Sequence, residues 1–228
     1  MATKKFKKAI MWFRQDLRLM DNPALVAASE SDQLVPIYIF DEENPGDAAL
    51  GASSKLWLYY SLKALNKQLE NKLRFFRGDP KILLPQLIAE NCSDSIFWNR
   101  CYEPWQIKRD TAIKTQLISK GYEVESFNGS LLWEPWHVMK KDGTPYKVFT
   151  PFYRKGCLNA TPPRAPLDAP KLVLAEKDSL CGINKLNELN LIPKNNWGDK
   201  VICNWDVGEE AANKKLNNFL DNGLEDYK

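Results

Sequence analysis

Five short apolar runs stand out along the chain, and each is followed by a helical pattern or a turn signal. They are Lys8–Arg14, Leu34–Asp41, Leu73–Gly78, Ser95–Arg100 and Glu123–Asn128. Their apolar character is nearly continuous rather than alternating, as in strands covered on both faces. Between them, Asn22-Pro23 reads as an N-cap with proline at the first helical position, leading a short helix through Ala24–Glu30. Leu58, Leu62, Leu65 and Leu69 fall on one face of a longer helix. Asp79-Pro80 opens a third helix carrying Ile82, Leu83, Leu87 and Ile88. Ile107, Ile113, Leu117 and Ile118 mark a fourth, closed by Gly121. This alternation predicts an α/β fold, a Rossmann-like five-stranded parallel sheet with helices on both faces. Ligands of such sheets bind beyond the carboxyl ends of the strands, so the residues just after each run are the ones to watch.

The pattern changes near Thr161. Pro162, Pro163, Pro166 and Pro170 predict an extended linker, and the following stretch is polar and asparagine-rich. Helical periodicity returns over Glu209–Tyr227, with Ala212, Leu216, Phe219 and Leu220 on one face and Gly223 as an interruption. This helix is expected to be the first element of a second domain; the alternative is that it folds back on the sheet.

Composition narrows the function classes. The chain has 228 residues, 44% hydrophobic and 27% charged, and suits a soluble α/β body of good size. No apolar run is of membrane-spanning length, and Ala9–Phe13 is too short for a signal-peptide core, so a cytoplasmic location is the expectation. The Asn128-Gly129-Ser130 sequon then carries no meaning. Net charge is only +3, which does not point to a nucleic-acid binder, and Lys4, Lys5, Lys7 and Lys8 read as a solubilising tail. Five cysteines (Cys92, Cys101, Cys157, Cys181, Cys203) form no C-x-x-C pair and there is one histidine, His137. Reduced, mostly buried thiols are therefore expected and no metal site. There is no G-x-G-x-x-G and no G-x-S-x-G. Gly46 and Gly51 have P-loop spacing, but Ala52-Ser53 follow where lysine and a hydroxyl residue are needed. The residues alone describe a ligand-binding α/β domain with no visible catalytic constellation.

One segment is more specific. Trp12–Leu25 reads WFRQDLRLMDNPAL, and it resembles, in register, the opening signature of the photolyase/cryptochrome family, W-F-R-x-D-L-R-x-x-D-N-P-A-L. Arg14, Asp16, Arg18 and Asp21 alternate in sign and are expected to tie a strand-to-helix turn together. The resemblance continues through Leu56–Leu69, Arg77–Pro80, Trp98–Arg100, Glu103-Pro104, Arg109-Asp110, Phe127–Gly129 and Pro145–Tyr153. It covers nearly all of 1–156. The residues from Gly208-Glu209 to Tyr227 are similar to the start of the family's helical flavin domain.

The resemblance implies three parts: an α/β antenna-binding domain over 1–156, an interdomain linker over 157–207, and the start of an FAD-binding domain, truncated, over 208–228. It implies an antenna chromophore (a deazaflavin, a reduced folate or a flavin), with FAD only in an intact parent protein. In the family, light absorbed by the antenna drives reduced FAD to split a flipped-out pyrimidine dimer. The antenna lining implied by resemblance is Ile39, Phe40, Lys55, Asn99, Cys101, Glu103 and Gln106, and Tyr227 matches an FAD contact. Two positions depart from the pattern: Cys101 stands where deazaflavin-binding members carry aspartate, and Gln106 where folate-binding members carry glutamate. Glu103 reads equally as an antenna contact or as a carboxylate favoured at a helix start. The chain alone is expected to lack repair activity, with no catalytic residue of its own. It would reach damaged DNA only through a helical FAD domain, missing here or separately encoded. A stand-alone flavin- or nucleotide-binding protein and an inactive remnant are the alternatives.

Overall fold

Alternation within the strands decides which layer each side chain joins. In the computed structural model, which describes residues 5–176, 183, 185–195, 197–225 and 227, the strands are β1 (Phe6–Phe13), β2 (Ser31–Phe40), β3 (Arg74–Arg77), β4 (Ser95–Asn99) and β5 (Glu123–Phe127). All pair in parallel, in the order β3-β2-β1-β4-β5. Met11 and Phe13 point to one face, where they pack with Tyr38, Phe40, Phe75 and Phe97. Ile10 and Trp12 point to the other, with Ile37, Ile39, Ile96 and Trp98. Successive residues on a strand face opposite sides, so a strand apolar at every position must be covered twice.

Helices provide that cover. The first face receives α1 (Pro23–Ala28) and α2 (Ala52–Gln68), whose Leu58, Leu62 and Leu65, with Leu69 just beyond, are all buried. The second face receives α3 (Pro80–Glu90) and α4 (Pro104–Ser119) through Leu84, Leu87, Ile88, Ile113 and Leu117. The Rossmann-like fold expected from the apolar runs is therefore present. Three helix residues expected inside lie outside: Ile82, Ile107 and Ile118 are 61%, 49% and 52% exposed, because Ile107 and Ile118 sit about a third of a turn off the buried stripe and Ile82 lies opposite it. The starts match the sequence signals. Asn22 Oδ1 accepts from the Leu25 N–H at 3.0 Å, Asp79 Oδ1 accepts from the Lys81 N–H at 3.0 Å, and prolines follow both.

Beyond β5 come a single helical turn, α5 (Phe149–Pro151), then α6 (Trp197–Ile202) and α7 (Glu209–Asn222). The proline-bearing stretch is extended, and the chain that follows it is fastened to the sheet at Val173, Ala175 and Ile183. The Leu34 N–H donates to Val173 O and the Ala175 N–H to Leu34 O, both at 2.8 Å, while the Ile183 N–H reaches Phe75 O at 2.9 Å. Leu189 and Leu191 are buried in the α1/α2 core. Helix α7 ends at Gly223, buries no side chain, and leaves Leu216, Leu220 and Leu224 about half exposed at 55%, 49% and 50%. Its first turn nevertheless touches the sheet body. Of the described cysteines Cys101 and Cys157 are buried, whereas Cys92 and Cys203 are exposed, contrary to the expectation of mostly buried thiols: both sit in turns at helix ends. Lys4 and Cys181 lie outside the described residues. Among the described residues no helix is long and apolar enough to cross a membrane.

Candidate functional site at the carboxyl edge of the sheet

Strand order reverses between β1 and β4, the point at which doubly wound sheets open a crevice. Here protein side chains fill it. Asn99, the last residue of β4, is 2% exposed. Its side-chain Nδ2 donates to Asp16 Oδ2 and, at 2.7 Å, to Asn22 Oδ1, and its side-chain Oδ1 accepts from the Ala24 N–H at 3.2 Å. Asp16 Oδ1 also accepts from the Arg14 N–H at 2.8 Å. The Arg14 guanidinium binds Asp110 of α4 and the carbonyl of Asn99. The four alternating charges thus tie the turn by bonds to backbone groups and pair outward: Arg18 donates to the carbonyls of Asp21 and Gly129, and Asp21 takes Arg164. The turn is tied to β4, α4 and the stretch after β5, as a buried polar cluster must be if its groups are to stay satisfied. Asn99, an implied antenna contact, has its side chain spent on this network.

The other implied residues form a rim beside it. Glu103, at the N-cap of α4, accepts from Gln15 Nε2 at 3.0 Å and from Gln106 Nε2 at 2.8 Å. Partial burial pushes its carboxyl up, but the hydrogen bond from Gln15 and backbone N–H groups outweigh that and hold it below the usual range. Gln106 Oε1 accepts from Arg109, which also pairs with Asp41 at 3.0 Å and lies 5.2 Å from the Trp12 ring. On the far side Lys55 sits 5.5 Å from the Phe40 ring and pairs with Glu42 at 2.8 Å; Arg77 joins Glu42 as well. Ile39 and Phe40 are buried at 5% and 3% as sheet core. Burial pushes the Cys101 thiol up to about 11, Arg14 opposing and Asp110, Asp16 and Glu103 adding to it, so the thiol is protonated and inert. Tyr227 is 75% exposed and touches Phe219 edge-on at 5.6 Å.

The open space lies next to this rim, over the ends of β1 and β2. A cavity of about 710 Å³ is walled by Arg14, Gln15, Arg18, Tyr38, Trp57 and Leu58, and by Gly208, Glu209, Ala212 and Asn213 of α7. None of the seven implied antenna residues lines it. Their sequence neighbours Tyr38 and Ser54 do, and Gln15 joins the cavity to Glu103. Trp57 is 44% exposed on a helix whose leucines are buried; an aromatic off the buried stripe was the signal available in the sequence for this wall. Gln15 was marked by its place after the strand. The contribution of α7 had no such marker. In volume and mixed lining the cavity suits a small organic molecule.

A doubly wound parallel sheet with a mixed aromatic and polar cavity at its carboxyl edge defines a Rossmann-like α/β body. The chain belongs to the DNA photolyase family, whose model matches residues 9–171. It is 40% identical to a deoxyribodipyrimidine photo-lyase of Agrobacterium fabrum over 98% of this chain and 47% of that protein. It is 31% identical to cryptochrome-2 of Arabidopsis thaliana, over 97% of this chain and 37% of the relative. The crystal structure of a class III photolyase from Agrobacterium tumefaciens superposes with a TM-score of 0.85 at 38% identity, covering 95% of this chain and 45% of that one. The chain thus spans about half the length, or less, of these relatives.

Proposed function

We propose that this chain is the antenna-binding part of a deoxyribodipyrimidine photolyase, working in light-driven DNA repair only together with an all-helical FAD domain. The observation that carries the reading is the cavity at the carboxyl edge of the sheet, in a chain of this family. Its volume and its Tyr38 and Trp57 walls fit a flat heterocycle, and Gln15 and Ser54 offer polar contacts. When bound, an antenna chromophore supplies light absorption and passes excitation to a reduced flavin held elsewhere. The chain's own residues bind and orient it: Glu103 fixes the Gln15 amide through a 3.0 Å hydrogen bond, and Lys55 and Arg77 are held at the rim by Glu42. Tyr227, the implied FAD contact, is exposed and packs edge-on against Phe219. No chemical step is assigned to this chain.

The test is to purify the chain, add a reduced folate, a deazaflavin or FMN in turn, and follow chromophore fluorescence. One of the three should bind, and Glu103→Ala should weaken it by roughly tenfold, the loss of about one hydrogen bond's worth of orientation. The melting temperature should hardly move. Light-driven dimer splitting by the purified chain without a helical partner would overturn the proposal, and so would failure of all three chromophores to bind.

A further inference from the structure

The first turn of α7 touches the loop between β1 and α1 in an unusual way. The Glu209 carboxylate accepts the Leu19 N–H through Oε2 and the Met20 N–H through Oε1, both at 2.8 Å. Gly208, just before it, has φ +112°, and a Cβ added there would stand 2.7 Å from the Ala64 Cβ of α2. The backbone of Gly208 therefore approaches α2 more closely than any other residue type allows. Asn213, one turn on, brings its amide to 3.8 Å from Met20 Sδ. Gly208, Glu209 and Asn213 wall the 710 Å³ cavity on one side. On the other side Met20, Glu209 and Asn213 border a second hollow of about 740 Å³. Met20, Glu209 and Asn213 line both hollows and stand between them.

We propose that Gly208 and Glu209 form a clasp that seats α7 on the sheet body, and that opening this clasp opens the cavity while the sheet stays folded. The helix buries no side chain of its own, so packing does not fix its position. Among the described residues the other tethers are the Asn213 amide on Met20 Sδ and Trp205, which is edge-on to Trp57 at 5.7 Å, 5.1 Å from Lys215 Nζ and itself 53% exposed. An element held by two charge-assisted hydrogen bonds, a weak amide–sulfur contact and a surface aromatic opens far more readily than the core beneath it. A molecule in the cavity touches α7 only while the clasp is shut, so occupancy and helix docking favour each other. The apolar stripe of Leu216, Leu220 and Leu224 then moves with the clasp.

Hydrogen exchange followed by mass spectrometry on the full chain tests this without any ligand, so it can fail while the antenna reading stands, and the reverse. In Glu209→Ala the peptide covering Leu17–Asp21 and those covering α7 should exchange roughly 10- to 100-fold faster, the effect of losing charge-assisted hydrogen bonds to a marginal helix. Peptides from β1, β2 and β4 should keep their rates. Gly208→Ala should reproduce the pattern by forcing the same separation from α2. Unchanged exchange at Leu19 and Met20 in Glu209→Ala, or acceleration of the sheet in step with α7 in either variant, overturns the clasp.

Discussion

Replacing Asn99 by alanine removes the side chain that ties β4 to the loop after β1. Three hydrogen bonds go with it: two donated by the amide, to the ionised Asp16 and to Asn22, and one accepted from the Ala24 N–H. The bond to a charged group is worth about 1.5–3 kcal/mol and each neutral one about 0.5–1.5 kcal/mol. Water cannot easily replace them, since Asn22 is fully buried and Asp16 is 4% exposed. A loss of about 2.5–6 kcal/mol follows, at or above the upper end of the usual effect of a point change. Urea unfolding followed by tryptophan fluorescence reads it directly, because Trp12 and Trp98 pack edge-on at 5.7 Å beside the altered position. The midpoint should fall with the slope unchanged. A loss under about 1 kcal/mol would refute the argument that this network, and not apolar packing alone, holds the carboxyl edge together.

Cys101 should resist alkylation in the native state at pH roughly 8, where a thiol of pKa near 11 is about one part in a thousand thiolate, and should label once urea unfolds the chain. Labelling as fast as at the exposed Cys92 and Cys203 would contradict its burial. Glu42 gives a pH signature. The hydrogen bond from Lys55, with that from Arg77, holds its carboxyl below the ordinary value of 4.5 against a smaller push from burial. A depressed folded-state pKa stabilises above the unfolded value and is lost as pH falls through the folded one. Glu42→Gln should therefore be less stable near neutrality and decline less steeply below pH 4.5; urea midpoints with equal acid slopes in both proteins would exclude the effect.

Much of the fold was legible because both faces of the sheet are covered. Strands apolar at every position, separated by capped helices, leave few arrangements, and the expected runs differ from the observed strands by only a residue or two at most ends; β2 begins three residues earlier, at Ser31. The carboxyl edge was legible as a place but not as a set of contacts. Ile39 and Phe40 are the last two residues of β2 and point to opposite faces of the sheet, so both serve as core beneath the helices rather than as rim. Asn99 read as part of a strand run and as an implied antenna contact, and Asp16 as one charge of a strand-to-helix turn; only the folded chain brings them together across 83 positions. The stretch after Thr161 read as a free linker because Leu174, Ile183, Leu189 and Leu191 follow no period, and isolated apolar residues give no signal until a surface exists for them to meet.

That stretch also bears on how the sheet avoids its own kind. β3 has four residues and pairs only with Ile37–Phe40, which leaves the amino-terminal half of β2 without a neighbour on that side. Such an open edge can template another molecule's strand. The backbone around Leu174 occupies it in parallel register with Leu34, and Ile183 bridges to the outer side of β3. The connection out of the α/β body thus doubles as a bandage over its raw margin. Cutting the chain at Gly156 would release a body with an unpaired flank, and its first failing would be self-association rather than loss of fold.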